Sequence, residues 1–145
     1  MPNIMQRIAC KAVIIADGKL LIVREAVYDD GTNAGRYILP GGRIKPGEPY
    51  LQGLTREVLE ETGLRVTPIA PLYVGEWFPV ISGQHTQIVA VFFACQATTQ
   101  QVRLGAEHDA YVWISPQDYP QYDLVVPEEE VVRAYLRYRA VGLVT

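Results

Sequence analysis

The chain has 145 residues, a mass of 16.2 kDa and a formal net charge of −3. Its length suits one domain, expected over residues 1–145, and 49% hydrophobic with 20% charged residues suits a globular protein with a real core. The negative balance argues against a nucleic-acid partner. The short apolar run before Asp17 is neither a signal peptide nor a membrane span, so no membrane partner is expected and a cytoplasmic location is the default.

Residues 7–16 read as a strand, Asp17-Gly18 as a turn, and Leu20–Arg24 as the hairpin partner. The stretch from Glu25 to Gly35 is rich in Asp, Asn and Gly and reads as a loop. Tyr37–Leu39 is a short strand ending at Pro40-Gly41-Gly42. Pro49 then opens a helix and Gly63 stops it, with Leu51, Leu54 and Val58 on one apolar face. Val66–Val74 and Glu76–Val80 read as extended, Ser82-Gly83 as a turn, and Thr86–Gln96 as the strongest strand, expected to be central. Ala110–Ile114 is a further strand. Pro127–Arg139 reads as a terminal helix with Val131, Val132, Tyr135 and Leu136 on its apolar face. Cys10 and Cys95 sit in apolar segments outside any C-x-x-C pair and read as buried free thiols. Strands mixed with two helices give an α/β layered class.

The charges on the two helices differ in kind. The terminal helix has Glu128, Glu129 and Glu130 in its first turn and Arg137 and Arg139 near its end, as the helix dipole favours. The first helix reverses this. Glu60 and Glu61 lie in its last turn, and Glu57, three and four residues earlier, places all three carboxylates within about 100° of arc. Such an arrangement repels itself and opposes the dipole, by about 0.3–1 kcal/mol for each terminal acid. A site that gathers negative charge for a cation explains it better than a solvated surface does. Carboxylate oxygens are hard ligands suited to Mg2+ (or Mn2+). Arg56 can reach Glu60 one turn on or Glu48 across the loop, and Glu48 reads as its partner or as a supporting acid.

These residues form a 23-residue run from Gly42 to Leu64, with Glu48, Arg56-Glu57, Glu60-Glu61 and Gly63 at fixed spacings. Seven specified residue types would match by chance in about one window in 10⁸. The run resembles the Nudix box without departure, and Tyr37–Gly42 resembles the family's lead-in, which more often begins with tryptophan. The resemblance implies the Nudix fold, a mixed sheet sandwiched between helices. It also implies metal-dependent hydrolysis of a nucleoside diphosphate linked to another group. Glu57, Glu60 and Glu61 are then metal ligands and catalytic residues, with the Gly41 carbonyl as a further ligand. Arg56 takes an orienting role beside Glu48. Glu107, ahead of Trp113, is carried over as an additional ligand or base. His108 reads as a loop histidine and His85 as inert.

Substrate contacts are read from residue chemistry. Arg24, Arg36 and Arg43 can bind phosphates, with Arg43 best placed after the glycine pair. Tyr28, Tyr73, Trp77 and Phe78 can stack on a base, or else fill core and rim. Pro79, fifteen residues beyond Leu64, resembles the pattern of ADP-ribose pyrophosphatases in the family. ADP-ribose or a related nucleotide sugar is therefore the first expectation. A damaged or noncanonical nucleoside triphosphate is the alternative, and a non-catalytic sensing module ranks below both because the box is whole. The partner is a small-molecule nucleotide, and a homodimer is left open.

Overall fold

The computed structural model describes residues 3–26 and 34–145. The expected loop from Glu25 to Gly35 falls largely outside these residues, and Tyr28 falls wholly outside them. The elements run β1 Met5–Ala16, β2 Lys19–Glu25, β3 Tyr37–Ile38, β4 Gly41–Arg43, α1 Tyr50–Thr62, β5 Val66–Trp77, β6 Val80–Ile81, β7 Gln84–Ala97, β8 His108–Ile114 and α2 Glu128–Ala140. A short 3-10 helix, Pro116–Gln121, precedes α2. The two extended segments expected after α1 are one strand up to Trp77, followed by the two-residue β6.

The sheet is mixed, in the order β3-β2-β1-β7-β5, with β4 paired to β1, β6 to β7 and β8 to β2. β1 and β7 run parallel from Met5↔Thr86 to Ile15↔Gln96. β2 pairs with β1 at Ile15↔Leu20 and Ala16↔Lys19 and then diverges from it, while β8 pairs along the other edge of β2 from Leu20↔Ile114 onward. That divergence leaves the edge of β1 open to β4, whose Gly41 and Gly42 lie opposite Lys11 and Cys10. The box is thus anchored on the strand that is also joined to β7.

Alternation along β1 divides the core. Cys10, Ala12 and Ile14 face α1, which buries Leu54 and Val58 against them. Ala9 and Val13 face α2, whose Val131, Val132 and Tyr135 pack with Phe92 and Leu124. Helices therefore cover both faces of the sheet. The expected face of α1 is narrower than Leu51, Leu54 and Val58, because Leu51 is 40% exposed. Cys10 and Cys95 are free and buried, and burial pushes the Cys95 thiol up to about 12.

Candidate active site

The lead-in to α1 is shaped by close approach. Gly41 has φ +138°, and a Cβ there would lie 2.4 Å from the Cys10 carbonyl oxygen. A Cβ on Gly42 would lie 2.6 Å from Oε2 of Glu57. The glycine pair lets β4 lie against both β1 and the acidic face of α1. Gly41 also donates its N–H to Oε1 of Glu61 at 2.8 Å.

Arg56 organises the outer acids. Its Nε and Nη2 grip Glu48 at 2.7 and 2.9 Å, and Nη1 reaches Glu57 at 3.0 Å and Glu60 at 3.4 Å. The Arg56 guanidinium holds the Glu48 carboxyl down at about 2, helped by the Lys45 N–H. Both partners proposed from the sequence, Glu48 and Glu60, are therefore engaged at once. Arg56→Ala is expected to lower the melting temperature by several degrees and kcat by about tenfold or more, since Glu57 loses the group that orients it. Thermal denaturation beside steady-state kinetics checks this; an unchanged melting temperature would assign Arg56 to substrate alone.

Glu61 has a different environment. It is 7% exposed, and burial pushes its carboxyl from the ordinary 4.5 up to about 8. The Gly41 N–H and Lys11 oppose the rise, while Glu57 and Glu107 add to it. His108 Nε2 lies 3.9 Å from Glu61 Oε2. Below about 4.5 the carboxyl is protonated in folded and unfolded chains alike. Between about 4.5 and about 8 the folded protein holds a proton that the unfolded chain releases, so stability falls as pH rises, and the loss is complete above that range. Metal-free protein is thus expected to melt at lower temperature at pH 8 than at pH 5.5, and Glu61→Gln is expected to flatten that profile. Equal slopes for the two proteins would remove Glu61 as its source.

Two cavities adjoin at Glu25, which lines both. The first, about 560 Å³, is bounded by Gly41, Gly42, Arg43, Glu57, Glu61 and Glu107, together with Arg7 and Ile88. The second, about 400 Å³, has Trp77, Phe78, Pro79, Val125 and Pro127 in its wall and Lys11 and Glu128 at its base. Of the residues expected from the sequence, Arg43 and Glu107 line the first cavity and Phe78 and Pro79 the second.

Other expected contacts lie elsewhere. Arg24 pairs with Asp109 at 2.7 Å and Arg36 with Asp123 at 3.1 Å, and neither lines these cavities. Glu60 lies outside the acidic lining with its side chain 58% exposed. Tyr73 packs on Phe92 and donates its hydroxyl to Glu130, so it belongs to the core rim. His108 is not a loop residue: it begins β8 and is 5% exposed.

Lys11 and Glu128 are not among the site residues expected from the sequence. They form a buried ion pair, 8% and 1% exposed, and Glu128 also accepts the Leu39 N–H at 3.1 Å. Lys11 Nζ lies 5.8 Å from the Trp77 ring centroid. A lone lysine in the apolar run from Ile8 to Ala16 was the available signal.

The donor chemistry suits a hard divalent cation. Glu57, Glu61, Glu107 and the Gly41 carbonyl offer oxygen only, and the buried Glu61 carboxyl accepts the Gly41 N–H. Among the described residues, no three His, Cys, Asp or Glu side chains form a ready-made metal cage. Magnesium typically keeps waters and uses one or two carboxylates with substrate phosphates, so an open acidic cavity fits it.

The NUDIX domain family model matches residues 5–135. The nucleoside triphosphatase NudI of Escherichia coli O1:K1 / APEC is 30% identical over 135 residues, covering 88% of this chain and 95% of that protein. The MutT protein from Methanosarcina mazei Go1 has a TM-score of 0.82 at 26% identity, covering 96% of this chain and 99% of that one. The E. coli ORF135 protein has a TM-score of 0.73 at 26% identity, covering 98% and 96%.

Proposed function

The chain belongs to the Nudix hydrolase family, and on that premise we propose that it hydrolyses a nucleoside triphosphate to the monophosphate and pyrophosphate, with magnesium. The observation that carries this reading is the pair of adjoining cavities, one acidic and one walled by Trp77, Phe78 and Pro79. Phosphates fit the first and a base fits the second. The similarity to a nucleoside triphosphatase along 95% of its length favours a triphosphate over ADP-ribose. ADP-ribose or a related nucleotide sugar remains the second reading, supported by Pro79 in the wall of the second cavity.

In this reading Glu57, Glu61, the Gly41 carbonyl and Glu107 hold the metal, with Glu60 at its outer side. When bound, the ion supplies neutralising charge to the phosphates and polarises water for attack on phosphorus. Arg56 and Glu48 fix the Glu57 side chain. Arg43, beside the glycine pair, binds a phosphate oxygen. Glu107, carried on the segment ahead of β8, is a further ligand or takes the proton of the attacking water.

The test is a nucleotide panel with magnesium, read in two ways. Coupling to inorganic pyrophosphatase reports triphosphate cleavage; coupling to alkaline phosphatase reports cleavage of ADP-ribose. Pyrophosphate release from a nucleoside triphosphate, abolished by chelation, is expected. Turnover after exhaustive chelation would remove the metal from the proposal, and a signal from ADP-ribose alone would replace the first reading with the second.

A further inference from the structure

Arg7 lines the acidic cavity. It is in register with Ile88 on β7, and Ile88 is in register with Trp77 on β5. Register partners project from the same face of a sheet, so the three form one row. Arg7 and Ile88 line the acidic cavity and Trp77 lines the aromatic one. Arg24, Arg36, Arg56 and Arg133 each have a carboxylate partner. Among the described residues Arg7 has no ion pair, and its buried Nε has no hydrogen-bond partner. Buried donors in folded proteins are bonded in the large majority of cases, so this one is set for an acceptor the chain does not supply.

We propose that Arg7 binds a phosphoryl group of the substrate's phosphate chain. A guanidinium offers a planar fork of N–H donors that matches two phosphate oxygens, and a phosphoryl oxygen supplies the acceptor that Nε lacks. Arg43 and Lys45 line the same cavity from β4 and the segment after it, but neither has a buried nitrogen left without a partner. The division of labour follows from charge: Glu57, Glu61 and Glu107 gather the cation, and Arg7 takes the anion beside it. The inference rests on the nucleotide-hydrolase reading and adds to it a residue that the box does not contain.

The experiment measures calorimetric binding of inorganic tripolyphosphate, with magnesium, to wild type, Arg7→Gln and Arg7→Lys. Binding of a free nucleoside and melting temperatures are measured alongside. Arg7→Gln is expected to weaken tripolyphosphate about tenfold or more, the scale of a lost hydrogen bond to a charged group. Nucleoside affinity should stay unchanged, and the melting temperature should not fall, because an unbonded buried donor has been removed. Arg7→Lys should recover part of the loss, and KM for a nucleoside triphosphate should rise more than kcat falls. Tripolyphosphate affinity within about twofold of wild type in Arg7→Gln would overturn the inference, as would equal weakening of nucleoside and tripolyphosphate. If Arg7→Gln does not fold, Arg7→Lys with unchanged tripolyphosphate affinity and KM overturns it in the same way. Wild-type binding of tripolyphosphate through Arg7 without turnover of any nucleotide would uphold the Arg7 site and overturn the proposed function. Nucleoside triphosphate turnover that Arg7→Gln leaves intact would do the reverse.

Discussion

Glu57→Gln and Glu61→Gln are each expected to lower kcat by about a hundredfold or more while leaving the protein folded. Both side chains line the acidic cavity with Gly41 and Glu107. The amide keeps the shape of the carboxylate and removes the charge that a cation needs. The two variants should part company in stability. Glu61 is buried and charged only at a cost, so its neutral replacement should raise the melting temperature of metal-free protein at pH 8. Glu57 accepts a bond from Arg56 at 3.0 Å but is repelled by the neighbouring acids, so the lost bond and the relieved repulsion should offset and leave the melting temperature nearly unchanged. Kinetics over a range of magnesium concentrations, paired with thermal denaturation, check both parts. Near-wild-type turnover in either variant would withdraw the role assigned to that residue.

Breaking the Lys11–Glu128 pair is expected to have the largest effect on stability. Burial pushes the Glu128 carboxyl up, against the opposing pull of Lys11 and the Leu39 N–H. Removing one partner strands the other in the core. Lys11→Met or Glu128→Leu alone should therefore cost about 3–5 kcal/mol, a large share of the 5–15 kcal/mol typical of a domain. The double variant Lys11→Met/Glu128→Leu should recover much of that loss, since two apolar groups leave no buried charge. Urea titration of the four proteins gives the coupling energy directly. Additive losses would mean that the two residues act independently.

The box was legible in the sequence because its chemistry fixes spacing. Gly42, Glu48, Arg56, Glu57 and Glu61 meet through a short loop and one helix, where three- and four-residue intervals translate into a common face. Gly63 marked the end of α1 for a similarly local reason. What could not be read were partners distant in the chain. Arg24 and Arg36 looked free until Asp109 and Asp123, 85 and 87 residues away, were brought beside them. Glu128 satisfied the dipole rule as a first-turn acid, and that rule does not distinguish a carboxylate facing water from one facing Lys11. His108 reads as loop from the sequence because β8 begins three residues before Tyr111, its first clear strand former. Leu51 fitted the helical period, but the core beneath α1 ends before it.

The parallel ladder between β1 and β7 has a consequence for synthesis. Every registered pair, from Met5↔Thr86 to Ile15↔Gln96, joins residues 81 positions apart. Loop closure over such a span is slow compared with making a hairpin or a helix. On the ribosome, the strand made first must wait until two-thirds of the chain has emerged before its main neighbour exists. During that interval its apolar residues have only the short pairings with β2 and β4, and the glycine pair has only half of its platform. A nascent chain arrested near residue 80 is expected to be protease-sensitive along its whole length, whereas one arrested after α2 has cleared the exit tunnel should resist.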